Sequence, residues 1–242
     1  MNTTNSIPSA GGASSATSEM TTKVTRVLLA CGVIAGPLYI GVALIQGLTR
    51  GGFDLMHHDV SLLSNGELGW IQITNFLVTG LLVIAGAVGM RREMRREMRR
   101  AMHSGLGRTW GPLLVGIYGL GLIGAGIFVA DPMNGFPPGT PANANTISWH
   151  GLLHFITGGL GFLALIAACF VFALRFAALG QRGWTAYSAA TGIIFFAAFF
   201  GIASGSGQAW SIIGFWIGVV LAWAWLSVMA ARLMAGLPDA TV

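Results

Sequence analysis

Charged side chains are scarce in this sequence, at 9% of 242 residues. Soluble domains carry roughly a quarter, so the chain cannot cover a water-facing surface and is not a soluble globular protein. Cysteine is nearly absent too. Cys31 and Cys169 stand alone inside apolar runs with no CxxC partner, so they read as small buried apolar residues and say nothing of redox compartment. Residues 1–22 have almost no large apolar side chains and are expected to form a disordered tail. They also lack the positive start and short apolar stretch of a signal peptide. Strand-like alternation is missing, which argues against a β-barrel. No strand precedes any glycine cluster, so no phosphate-binding loop is implied. The apolar runs carry no midplane charges of the kind that ion-coupled carriers use.

What is present is apolar. Hydrophobic residues make up 54% of the chain and glycine contributes 36 residues. Six continuous apolar runs lie at about 26–47, 70–90, 111–130, 150–174, 185–204 and 211–231. A membrane-crossing helix needs about 20 residues at 1.5 Å each, and each run is long enough. The expected fold is all-α: one polytopic bundle of six transmembrane helices over residues 23–234, with a short tail at 235–242. Gly32 with Gly36, Gly201 with Gly205, Gly214 with Gly218, and the glycines between Gly116 and Gly126 suit close helix approach in lipid.

The charge pattern orients the bundle. Twelve of the 13 Lys and Arg residues fall on one side, and Arg50 alone falls on the other. This bias predicts a multi-pass protein of the cell membrane with both termini in the cytoplasm. Positive charge in short loops reports orientation, so the net charge of +5 does not imply nucleic acid. Between the second and third runs, Met90, Met94, Met98 and Met102 recur every fourth residue, flanked by Arg91, Arg92, Arg95, Arg96, Arg99 and Arg100. This segment reads either as a helix lying Met side down on the anionic inner leaflet, in contact with lipids through Arg91–Arg100, or as a solvated determinant of topology.

Polar residues collect on the opposite side. His57, His58, Asp59, Ser61, Ser64, Asn65 and Glu67 precede the second run, which Gln72 and Asn75 enter. Asp131 closes the third run, His150 and His154 open the fourth, and Ser204, Ser206 and Gln208 lie at the last turn. Asp59 and Ser61 suit the cap of a short helix over about 59–64. His150 and His154 share one helix face, so both imidazoles can reach one metal ion. They can equally satisfy backbone carbonyls or a carboxylate; haem ligation is a weaker option. Asp131 could be a third ligand, a base for bound water or a helix-terminus residue. The Pro- and Gly-rich GFPPGTP suggests a rigid loop.

These segments carry a resemblance. HHDVSLLSNGELGWIQITNF, FVADPMNGFPPGTP and SWHGLLHF resemble the prokaryotic membrane family catalogued as domain of unknown function 998, from about Val27 to Arg232. The resemblance implies a six-helix membrane bundle and no particular chemistry. The chain is also loosely similar to alkaline-ceramidase and adiponectin-receptor-type membrane hydrolases, which hold zinc with an HxxxH pair and a third His beside an Asp and a Ser. That likeness would make His150, His154 and His57 or His58 the zinc ligands, Asp131 the water-orienting group and Ser61 the nearby serine. It departs in helix number and in the placing of HxxxH and Ser. Two readings follow. In the first, the polar cluster binds a lipid head group or an ion, or holds the loops together. In the alternative, the protein is a zinc-dependent membrane hydrolase of a lipid-like substrate.

Overall fold

A computed structural model describes residues 10–101, 109–144, 146–204 and 208–238; side chains at 10–18 and 98–101 lie outside that description. The expectations that fall on Met98, Met102, Arg99, Arg100 and Ser206 therefore lie outside the described residues. The helices are α1 (Ala10–Thr49), α2 (Gly69–Ala101), α3 (Trp110–Ile127), α4 (Trp149–Ala178), α5 (Arg182–Ala203) and α6 (Ala209–Ala235), with a short 3-10 helix at Val60–Ser64. All six α-helices are long and apolar enough to cross a membrane. The fold is thus an all-helical bundle with six candidate spans.

Each helix packs against its neighbours in sequence, and α6 closes back onto α1. Glycine permits the tightest crossings. A Cβ on Gly121 of α3 would come within 2.7 Å of the Gly161 Cα of α4, and one on Gly86 of α2 within 2.8 Å of the Gly32 Cα of α1. Such contact maximises dispersion attraction where lipid supplies no hydrophobic drive between helices. The core is aromatic: Trp223 stacks on Tyr39 at 4.5 Å between centroids, and Trp225 meets Phe172 edge-on at 5.4 Å. Trp70, Trp149 and Trp210 are exposed near the starts of α2, α4 and α6, and Trp110 at the start of α3. Exposed tryptophans at helix ends suit the interface of a bilayer, where the ring is half wet.

Two segments differ from expectation. α1 begins at Ala10, within the tail expected to be disordered; its Ala- and Ser-containing turns continue a helix already nucleated downstream. α2 continues unbroken to Ala101 rather than ending near residue 90. Met90 and Met94 are fully buried in the bundle core, so these two methionines point inward, not at a bilayer surface. Arg91, Arg92 and Arg95 are exposed.

The two ends of the bundle are built differently. At the arginine end, side chains pair with one another. Arg96 donates to Glu93, which is buried, at 2.8 Å, and Arg175 donates to Glu97 at 2.6 Å. Arg232 donates to Gln181 Oε1 at 2.7 Å and lies over the Trp184 ring at 4.3 Å. At the opposite end lie four histidines and the loops that join α1 to α2 and α3 to α4.

Candidate functional site

The histidine end is organised around backbone carbonyls. A helix leaves its last carbonyls without intrahelical donors, and in apolar surroundings these need partners. His154, buried one turn into α4, donates its Nδ1–H to Ala125 O at 3.0 Å and Phe128 O at 2.8 Å. His150 donates its Nδ1–H to Val129 O at 2.9 Å. The i,i+4 spacing thus lets two imidazoles cap the C-terminus of α3. Because carbonyls only accept, both rings are the Nδ1–H tautomer when neutral, and each Nε2 is left as an acceptor.

Asp131 fixes the same corner. Its carboxylate accepts the Ser148 N–H at 2.7 Å and the Ser148 hydroxyl at 2.6 Å, while Ser148 Oγ accepts the Gly151 N–H at 3.1 Å. The carboxylate therefore sits at the N-terminus of α4, where the helix dipole favours negative charge. A Cβ on Gly151 would collide with Asp131, so this closeness requires glycine. His150 Nδ1 lies 3.8 Å from Asp131, beyond a hydrogen bond.

His58 locks the two loops together. Its Nδ1 accepts the Asp54 N–H at 2.9 Å, and its Nε2–H donates to Asn134 O at 2.9 Å. Both ring nitrogens are used, so no lone pair is free for a metal. Asn134 and Gly135 both have positive φ, 55° and 83°, as a tight Asn-Gly turn between Met133 and Phe136 demands. That turn presents Phe136, fully buried, to Phe53 edge-on at 5.2 Å, to the His58 ring at 5.5 Å and to the Arg50 guanidinium at 5.0 Å. Arg50 also donates to Leu63 O at 2.5 Å and Asn65 O at 2.6 Å, satisfying the end of the 3-10 helix. Burial lowers the Arg50 pKa from its ordinary value. His57 is exposed and meets only Asp54 among the described residues, at 2.8 Å. The Met56 N–H and then His57 hold the Asp54 carboxyl below its usual pKa.

Asp59 caps the 3-10 helix by accepting the Ser61 N–H at 2.8 Å. Asp59 and Ser61 then line a cavity of about 130 Å³ that runs into the bundle. His154 lies on its wall, as do Tyr39, Phe76, Tyr118, Gly158 and Phe162. The second Asp59 oxygen and His154 Nε2 have no hydrogen-bond partner among the described residues.

The expected site residues therefore separate. His154, Asp59 and Ser61 share the cavity. Asp131, His150 and His58 are joined to backbone and to Ser148, and His57 stands apart at the surface. Among the described residues, no three His, Cys, Asp or Glu side chains gather where one metal ion could bind. Of the readings open for the His150 and His154 pair, the partners of His154 among the described residues are the backbone carbonyls of Ala125 and Phe128. Gln72 and Asn75 form a buried network with Gln46, in which Gln46 donates to Gln72 at 2.9 Å. Sequence reasoning passed over Tyr39 and Tyr118. A signal existed, since two of only three tyrosines stand in the middle of apolar runs.

The sequence matches the family described as "Protein of unknown function (DUF998)" over residues 33–232, and the chain belongs to that family. No curated protein and no solved structure matches it.

Proposed function

We propose that this DUF998 family member binds a lipid-like amphiphile at its histidine end. The apolar part occupies the cavity, and a hydroxyl- or amine-bearing head group faces Asp59, Ser61 and His154. The observation that carries this reading is a pair of acceptor atoms without a partner among the described residues, the second Asp59 oxygen and His154 Nε2, on the wall of a mainly apolar cavity. Both acceptors face the cavity, and an O–H or N–H from a ligand would give each a hydrogen bond that the described residues do not. No Lys or Arg lines the cavity, so an anionic head group would meet no counter-charge. The cavity has room for on the order of ten water-sized spheres, which suits one chain or a compact ring. An ion alone, or loops merely locked together, would leave the apolar lining without a purpose.

Gly158 supplies the test. It lines the cavity, and a Cβ there would meet nothing within 4 Å. Gly158→Leu should fill the cavity and leave the bundle intact. Native mass spectrometry of protein extracted in mild detergent should find a retained amphiphile on the wild type and none on Gly158→Leu. An equal mass on both, or no adduct on either, would overturn the proposal.

The zinc-hydrolase reading has one observation in its favour. His150 and His154 both donate Nδ1–H to carbonyls, the kind of contact that orients zinc-bound imidazoles, and each Nε2 is available. Asp131 would then act on water, with Ser61 nearby and His57 as the third ligand; His58 would have to leave both of its bonds. Stoichiometric zinc in untagged protein, lost in His150→Ala and in His154→Ala, is its required result. The charge bias supports orienting the histidine end outward in the cell membrane, with both termini in the cytoplasm. It also supports contact of the exposed Arg91, Arg92 and Arg95 with anionic lipids. An impermeant maleimide should label Asn143→Cys but not Arg182→Cys in intact cells, in a background lacking Cys31 and Cys169; labelling at residue 182 would refute this orientation.

A further inference from the structure

A second cavity, of about 670 Å³, opens at the arginine end between the ends of α2, α4, α5 and α6. Arg175 and Arg232 line it together with Glu97, Gln181, Phe176 and Trp184. From this arrangement we infer a binding site for a phosphate group, held by the two guanidiniums and backed by the aromatic wall.

Three features carry the inference. Each guanidinium has five N–H donors. Arg175 uses one contact on Glu97, and Arg232 one on Gln181, so most donors of both have no acceptor among the described residues. The charges do not cancel: Glu97 balances Arg175, whereas Arg232 has no carboxylate partner among the described residues. Arg232 is also held in place, over Trp184 at 4.3 Å and Phe176 at 5.3 Å. A stacked guanidinium has already lost rotamer freedom, so less entropy is lost when it binds an anion. Planar forks with spare donors match phosphate oxygens in pairs.

Phosphate on a lipid head group and free phosphate share this chemistry. The apolar wall favours the head group, whose chains could pass along Phe176 toward the membrane interior. The site uses neither the cavity at the histidine end nor Arg91, Arg92 and Arg95, so it stands or falls independently of the amphiphile reading.

The test uses full-length protein in a phosphate-free sugar detergent, followed by thermal unfolding. It is titrated with short-chain phosphatidylglycerol or with inorganic phosphate at constant ionic strength. Saturable stabilisation is expected, with the midpoint about tenfold weaker in Arg232→Gln and unchanged when Arg91, Arg92 and Arg95 are all replaced by Gln. Stabilisation by the lipid alone identifies a head-group site, and equal stabilisation by inorganic phosphate identifies a free-anion site; both support the inference. If Arg232→Gln does not fold, the neutral pair Arg175→Gln with Glu97→Gln carries the same expectation. No stabilisation by either ligand, or wild-type midpoints in the arginine variants, would overturn it.

Discussion

The two ends of this bundle solve the same problem in opposite ways. Helix termini and loops leave unpaired polar groups at a membrane boundary. At the histidine end, the polar side chains turn mainly to the backbone. His154 and His150 cap α3, His58 bridges Asp54 and Asn134, and Arg50 closes the 3-10 helix. At the arginine end, charged side chains turn mainly to each other, as in Arg96 with Glu93 and Arg175 with Glu97. Hydrogen bonds that close a backbone terminus are local, buried and insensitive to salt. An ion pair with an exposed partner, such as Arg175 with the 40% exposed Glu97, is weaker and screened. The histidine end should therefore be the rigid, stabilising end, and the arginine end the adaptable one.

Substitutions can break that contrast. Phe136→Ala removes the fully buried ring between the two loops and should cost about 3–5 kcal/mol, read as a lowered unfolding temperature. A loss no larger than that of a surface substitution would show that the loops are not locked. His154→Ala leaves the Ala125 and Phe128 carbonyls without their imidazole donor and should cost about 3 kcal/mol. The loss should be the same at low and high salt; strong salt dependence would mean that a charge, not a cap, was removed. Glu97→Gln should cost at most about 1 kcal/mol, because Glu97 is 40% exposed and the pair is screened. That small loss should shrink further as salt rises. A cost as large as that of His154→Ala would erase the distinction between the ends.

The six spans were legible because a run of apolar residues has no other stable use in a charge-poor chain. Their packing was less so. The Met90 and Met94 stripe is equally consistent with a lipid surface or a protein core, and only the burial of α2's extension decides for the core. The HxxxH spacing correctly marked one helix face, yet its partners were hidden. The acceptors are main-chain carbonyls of Ala125, Phe128 and Val129, and every residue has a carbonyl. Asp59 as a cap was readable, since a short acceptor side chain before a turn has few other roles. The cavity was not readable, because it needs residues from all six helices and the 3-10 segment at once.

The central claim is that an apolar cavity with acceptors and no cation takes an amphiphile whose head group donates hydrogen bonds. Thermal unfolding in nanodiscs tests it most directly, using ligands with one alkyl chain and three head groups. In an Arg232→Gln background, which removes the anion site at the other end, a long-chain alcohol and a long-chain amine should stabilise the protein saturably and leave its Gly158→Leu form unmoved, while the matching alkyl sulfate should move neither. Stabilisation by the sulfate equal to that by the amine, or the same response in Gly158→Leu, would contradict the account.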